Sequence, residues 1–326
     1  MNFALRRLGF YLVTAWAAIT LNFFIPRLMP GNPAAAALSG ELNTLPPQAL
    51  KAEEAAFGVG AHQNIVSSYG HYLANVVQGH LGLSTSYFPA PVWSVIRAAM
   101  PWTVGLVGVC TVLSFLIGTA LGVVAGWRRG TAWEMIVPVG TFLSAMAYFW
   151  FGLIVVALLG VQLGWFPFAG GYDAQDPIGF SGTYILSVLS HAILPALTIV
   201  IPSLGGWALG MRNMMSTVLG EDYVMVARAK GVKPWRLTWL YAARNAILPN
   251  VSGFALSLGF VVSGAIGVEV VFSYPGIGYV LYHAVTSNDY PLMQGIFLII
   301  VLAVLVANLI ADVIYVALDP RTRRAA

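Results

Sequence analysis

The chain has 326 residues, of which 59% are hydrophobic and only 9% charged, and its mean hydropathy is +0.80. Soluble domains carry roughly a quarter charged residues, so this balance excludes an ordinary water-soluble enzyme and points to the membrane class. The formal charge of +4 is small, carries no expectation of a nucleic-acid partner, and matters less than where it sits.

Read at about 20 residues per crossing, the apolar stretches predict six spans near 9–29, 101–126, 136–160, 188–211, 251–272 and 295–318. Arg6 and Arg7 ahead of the first stretch resemble a signal peptide, with "PAAAAL" at 33–38 as a cleavage site. The stretch is long for such a leader, so the expectation is a retained first helix. Residues 30–100 are too polar to span and hold a Pro46–Pro47 turn. "NIVSSYGHYLANVVQGHLGLS" at 64–84 then predicts a helix with aromatic anchors, part of a small external subdomain.

His62, His71 and His80 on that segment are spaced nine apart, which is not a compact ligand pattern, and no metal site is expected. The lone Cys110 lies in an apolar run, where it reads as a small packed hydrophobe, and one cysteine excludes an internal disulfide.

In the second span Gly118, Gly122 and Gly126 recur every four residues and clear one helix face of side chains. Lipid supplies little hydrophobic force between helices, so close backbone approach is a main route to association. The third span carries Pro138 and is long enough to kink. The fourth holds Pro195, Pro202, Gly205 and Gly206 and is expected to bend. Ser190 and His191 are neighbours at its head, but adjacent helical residues point about 100° apart and make a poor catalytic dyad. Glu269 and Asp312 are carboxylates within or at the edges of spans, read as pathway or proton sites or as hydrogen-bonded helix locks.

Basic residues orient the bundle. With a cytoplasmic N-terminus the inner side receives thirteen of the sixteen Lys and Arg residues, and the outer side only Arg27, Lys51 and Arg97. Positive-inside bias therefore places both termini in the cytoplasm. No internal repeat stands out, which removes the best pointer to an inverted-repeat secondary transporter. An ion-coupled transporter using Glu269 and Asp312 is the rival reading.

The loop between the fourth and fifth spans, 213–249, holds five of the sixteen cations. Glu221 and Asp222 suit a helix N-terminus, Arg228 and Lys230 its last turn, and Gly231 the C′ position beyond it. Pro234 fits the first turn of a second helix. Small residues at Ala227, Ala229 and Gly231 suit close approach to a protein groove better than insertion into headgroups, and a few cations suit its rim. The chain contains no G-x-x-x-x-G-K-[ST] run, so any nucleotide chemistry must belong to another polypeptide.

"EDYVMVARAKGV" at 221–232 and "ARNAILP" at 243–249 resemble the EAA-type loop of bacterial ABC importer permeases, in the version of the dipeptide/oligopeptide/nickel permease family, "DYVRTARAKG…LRNALLP". "MPGNPAAAAL" (29–38), "AYFWFGLIVV" (147–156), "HAILPALTI" (191–199), "VEVVFSYPGIG" (268–278), "DYPLMQG" (289–295) and "ALDPRTR" (317–323) are similar to family segments in the same order. Met225 and Val226 stand where the family usually has Arg and Thr.

The resemblance implies an all-α integral membrane protein of six transmembrane helices in a bacterial inner membrane. Its parts would be a first helix (1–29), an external subdomain (30–100), a five-helix core (101–318) and a cytoplasmic tail (319–326). It implies a non-enzymatic transport subunit that binds no cofactor. The partners would be a second, homologous permease, two cytoplasmic ATPases holding ATP and Mg, and an external solute-binding protein. Glu221, Asp222, Ala227, Arg228, Ala229, Lys230 and Gly231 become the ATPase-coupling residues. Di- or oligopeptides are the first expectation for the solute, with nickel or oligosaccharides as alternatives.

Overall fold

The structure, a computed structural model, describes residues 2–28, 65–177, 179, 181–258, 261 and 266–318. Among these the elements are helical apart from an isolated bridge between Leu83 and Pro91. The chain divides into two compact units. One comprises 1–101 and 276–306, the other 102–275 and 307–325.

In the first unit, α1 (Asn2–Leu28) is met by α2 (Ile65–Val77) through aromatic side chains. Phe23 packs on Tyr69 and Tyr72 at ring-centroid distances of 5.2 and 5.4 Å, and Thr20 Oγ1 lies 2.7 Å from the Tyr69 hydroxyl. The cleavage motif, the Pro46–Pro47 turn and His62 lie outside the described residues. The nine residues ahead of the second predicted span are already helical, so α3 runs Val92–Trp127 and gives its first turns to this unit.

In the second unit the third predicted span is broken rather than kinked. A 3₁₀ turn at Ala132–Met135 leads into α4 (Ile136–Ser144), and α5 (Tyr148–Val155) continues as a π turn over Val156–Gln162. The two arms meet at 101°. Pro138 is not the cause: it sits in the first turn of α4, where its missing N–H has no intrahelical partner. The fourth span is a single helix, α6 (Gly182–Val218), which continues unbroken through Pro195 and Pro202. Ser181 caps its start by accepting from the Tyr184 N–H. Gly205 serves a close approach between helices. A β-carbon there would collide with the Gly140 carbonyl, so α4 and α6 cross backbone to backbone.

Helix α7 (Asp222–Ala229) follows. Helix α8 covers 234–246 and contains a π turn at Leu237–Ala243. The fifth predicted span appears as α9 (Leu248–Leu258) and α10 (Ile266–Val271), with most of the residues between them outside those described. The first unit resumes with α11 (Ile277–Thr286), and α12 (Tyr290–Leu318) starts five residues before the sixth predicted span. Among the described residues three helices are long and apolar enough to cross a membrane, or four if the bent pair counts as one span.

Candidate functional site

The corner between α6 and α8 is built from its sequence in a legible way. Asp222 opens α7 at the positive end of the helix dipole. The helix stops where Gly231 adopts φ 76°, a left-handed conformation that costs a residue bearing a β-carbon about 1–2 kcal/mol. The Gly231 N–H donates to the Arg228 carbonyl at 3.0 Å and the Val232 N–H to the Ala227 carbonyl at 3.2 Å. These are the two bonds of a Schellman cap, which satisfy carbonyls the helix end would leave open. Pro234 then opens α8.

One face of the corner is fixed. Val224 and Ala227 are buried with Met211, Met215 and Val218 of α6, Val123 of α3, and Leu237, Ala242, Ala243 and Ala246 of α8. Ala227, expected among the coupling residues, is 6% exposed and packs inward within this chain. Its small side chain lets α7 settle on α6 and α3. Glu221, Asp222, Arg228, Ala229, Lys230 and Gly231 are exposed. Arg228 also stacks its guanidinium 5.9 Å above the Trp127 ring at the end of α3. Sequence reasoning treated Met225 and Val226 only as lost family residues, yet both are 52% exposed beside the cations. The signal was their position: they lie between Val224 and Ala227, whose three-residue spacing marks the inward face.

The glycine stripe of α3 lies against α6. A β-carbon on Gly118 would sit 2.7 Å from Trp207 Cβ, one on Gly122 2.5 Å from the Ala208 carbonyl oxygen, and one on Gly126 2.6 Å from Met215 Cβ. Every fourth residue of one helix thus meets successive turns of the other, at separations only glycine permits. Glu134, in the turn ahead of α4, pairs with Arg212 near the end of α6 at 2.5 Å. Sequence reasoning did not find this pair, because 78 residues separate its members.

Glu269 of α10 is fully buried, and its Oε1 accepts from Thr103 Oγ1 of α3 at 2.8 Å. Asp312 falls in α12, with its side chain outside the described set. Sequence reasoning passed over a second buried carboxylate, Asp289. Its Oδ1 accepts from the Leu292 N–H at 3.0 Å, which caps α12, while Oδ2 accepts from Ser84 Oγ and from the Ser86 N–H at 2.9 Å. An Asp one residue before Tyr290–Pro291 is the helix-start signal that could have marked it. Burial first, then the neighbouring Tyr279 and Asp289, push the Tyr87 phenol up.

His71 and His80 bond locally, to the Ser67 carbonyl and to Gln78. Ser190 Oγ and His191 Nδ1 both turn to the Ser187 carbonyl at 2.8 Å rather than to each other.

A cavity of about 550 Å³ opens among α3, the α4–α5 break, α6 and α9. Its wall includes Thr111, Ser114, Ser144, Tyr148, Ser203 and Ser257, and no Asp, Glu, Lys, Arg or His among the described residues. Glu269 is not part of it.

Apolar helices fastened by glycine contacts, an uncharged, hydroxyl-bearing hollow between them and an exposed basic corner define an integral membrane transport subunit. Residues 118–324 match the family described as the binding-protein-dependent transport system inner membrane component, and the chain belongs to that family. It is 33% identical to the di/tripeptide transport system permease protein of Pseudomonas aeruginosa, over 99% of each chain. It is 32% identical to the oligopeptide transport system permease protein of Bacillus subtilis over 92% of each, and 30% identical to a glutathione transport system permease protein of Escherichia coli over 99% of each.

Proposed function

We propose that the chain is one of two permease subunits of an ATP-driven importer and carries peptides delivered by an external binding protein. The near full-length similarity to proteins named for di/tripeptide, oligopeptide and glutathione transport is the observation that carries this reading. Six spans with both termini in the cytoplasm agree with thirteen basic residues on one side against three on the other. The segments 30–100 and 273–291 then receive the binding protein.

On the inner side, two ATPase subunits, holding ATP and Mg, grip the exposed face of α7. The contacts come from Glu221, Asp222, Arg228, Ala229, Lys230 and Gly231, with Met225 and Val226 supplying apolar area. Ala227 and Val224 beneath them tie α7 to α6 and α3, so movement of the gripped helix passes to the spans as a rigid-body tilt. Glu269 acts as a helix lock through Thr103, and the second permease is a homologue of this chain.

Uptake of a labelled dipeptide by proteoliposomes containing both permeases and the ATPases, with binding protein outside, tests the proposal. Uptake should require ATP and survive an ionophore that collapses ion gradients. Uptake that stops with the gradient would overturn it in favour of an ion-coupled transporter.

A further inference from the structure

We infer that the cavity among α3, α5, α6 and α9 is this chain's wall of the solute pathway, and that it favours groups bearing N–H donors, protonated amines above all, over anionic groups. The inference rests on the permease reading and adds a polarity to it. It comes from where the hydroxyl protons go.

Thr111 Oγ1 donates to the Val107 carbonyl at 2.7 Å, Ser114 Oγ to the Thr111 carbonyl at 3.1 Å, and Ser257 Oγ to the Phe254 carbonyl at 2.7 Å. Ser144 Oγ spends its proton on the Pro202 carbonyl at 2.6 Å, across the α4–α6 crossing. Ser203 Oγ donates to the Ile199 carbonyl at 2.7 Å, so in its 3.3 Å contact with Tyr148 the phenol is the donor. A hydroxyl has one proton and two lone pairs. With six protons turned back into the protein, the cavity-facing capacity that remains on these hydroxyls is lone pairs. Against these six oxygens stand few donors: the indole N–H of Trp207 and one N–H of Asn250, whose other is directed at the Trp207 carbonyl at 3.3 Å.

An acceptor-rich wall without charge solvates an ammonium or amide N–H by hydrogen bonds as the group leaves water. A carboxylate entering the same space meets mostly lone pairs and loses most of its hydration uncompensated. Because no carboxylate lines it among the described residues, a cation is held weakly enough to leave, which a pathway requires. Peptides with a free amino terminus fit this wall leading with that end.

The single native cysteine, Cys110, is buried and can be removed as Cys110→Ala, leaving the complex free of thiols in this chain. In the assembled transporter during ATP turnover, Ser203→Cys and Ser257→Cys are then treated with a cationic and an anionic methanethiosulfonate reagent. Each rate is normalised to that of a small thiol in solution. The cationic reagent should react at least about tenfold faster at both positions, a bias of about 1.4 kcal/mol. Ser203→Ala combined with Ser257→Ala should lower maximal uptake about fivefold, roughly 1 kcal/mol of lost solvation. Equal or inverted normalised rates, or no reaction at either site, would overturn the inference. A wild-type complex that imports no peptide would sink the permease reading; one that imports peptide while both cysteines ignore reagent charge would sink this inference alone.

Discussion

The Val232 N–H reaches back 3.2 Å to the Ala227 carbonyl, and Gly231 lies between them at φ 76°. A β-carbon at 231 would meet nothing within 4 Å, so the need for glycine is conformational rather than steric. Gly231→Ala should weaken the corner by about 1–2 kcal/mol, and Gly231→Asn by less, since Asn tolerates the left-handed region. Gly231→Arg adds a long side chain to the exposed face and should lower both uptake and co-purification of the ATPase while leaving membrane insertion intact. Normal uptake by that variant would remove the corner from the coupling role.

The α3–α6 contact makes a sharper stability prediction. Gly122→Ala puts a methyl 2.5 Å from a backbone oxygen, which cannot rotate away, so the helices must part. Gly105→Ala, on the same helix with open space around it, is the control. The first should lose roughly 1–3 kcal/mol, read as a lower midpoint for thermal aggregation in detergent, and the second should match wild type. Equal midpoints would mean that the stripe does not fasten the pair.

Much of this was legible in chain order. The alternation of long apolar runs with basic loops announced the membrane class, and the Asp222, Gly231 and Pro234 signals placed both helices of the corner. The glycine stripe named its own face because periodicity within one helix is local information. What escaped reading depends on partners distant in sequence. Glu134 finds Arg212, Asp289 finds Ser84, and Gly205 meets Gly140, pairings that no spacing along the chain reveals. The break at 145–147 has neither Pro nor Gly to signal it, and Pro195 and Pro202, which do signal breaks, sit inside an unbroken helix. Tertiary contacts override local preference in such places.

Asp289 holds two segments together, so Asp289→Ala should be costly. It would orphan donors from Ser84, Ser86 and Leu292, at about 1–3 kcal/mol for each that stays buried. Asp289→Asn keeps acceptor capacity in one oxygen and should fall between. Protease sensitivity of the segment 78–91 reads the effect directly. Unchanged protection in Asp289→Ala would contradict it.

Glu269→Gln should leave ATP-driven uptake within about threefold of wild type, because an amide oxygen can still accept from Thr103. Thr103→Val, which deletes the donor beside a buried carboxylate, should lower folded yield more, by about 1–3 kcal/mol of stability. Abolished uptake in a well-folded Glu269→Gln variant would instead mark the residue as a proton site.

The most direct test of the account is cross-linking from α7 in the assembled complex, with Cys110→Ala as background. Cysteines at Ala229 and Met225, both exposed, should each join to the ATPase subunit with a short thiol reagent, and a cysteine at the inward-facing Ala227 should not. Capture of the ATPase from 225 and 229 alone is the predicted result. No capture from either, or capture of the external binding protein instead, would contradict it.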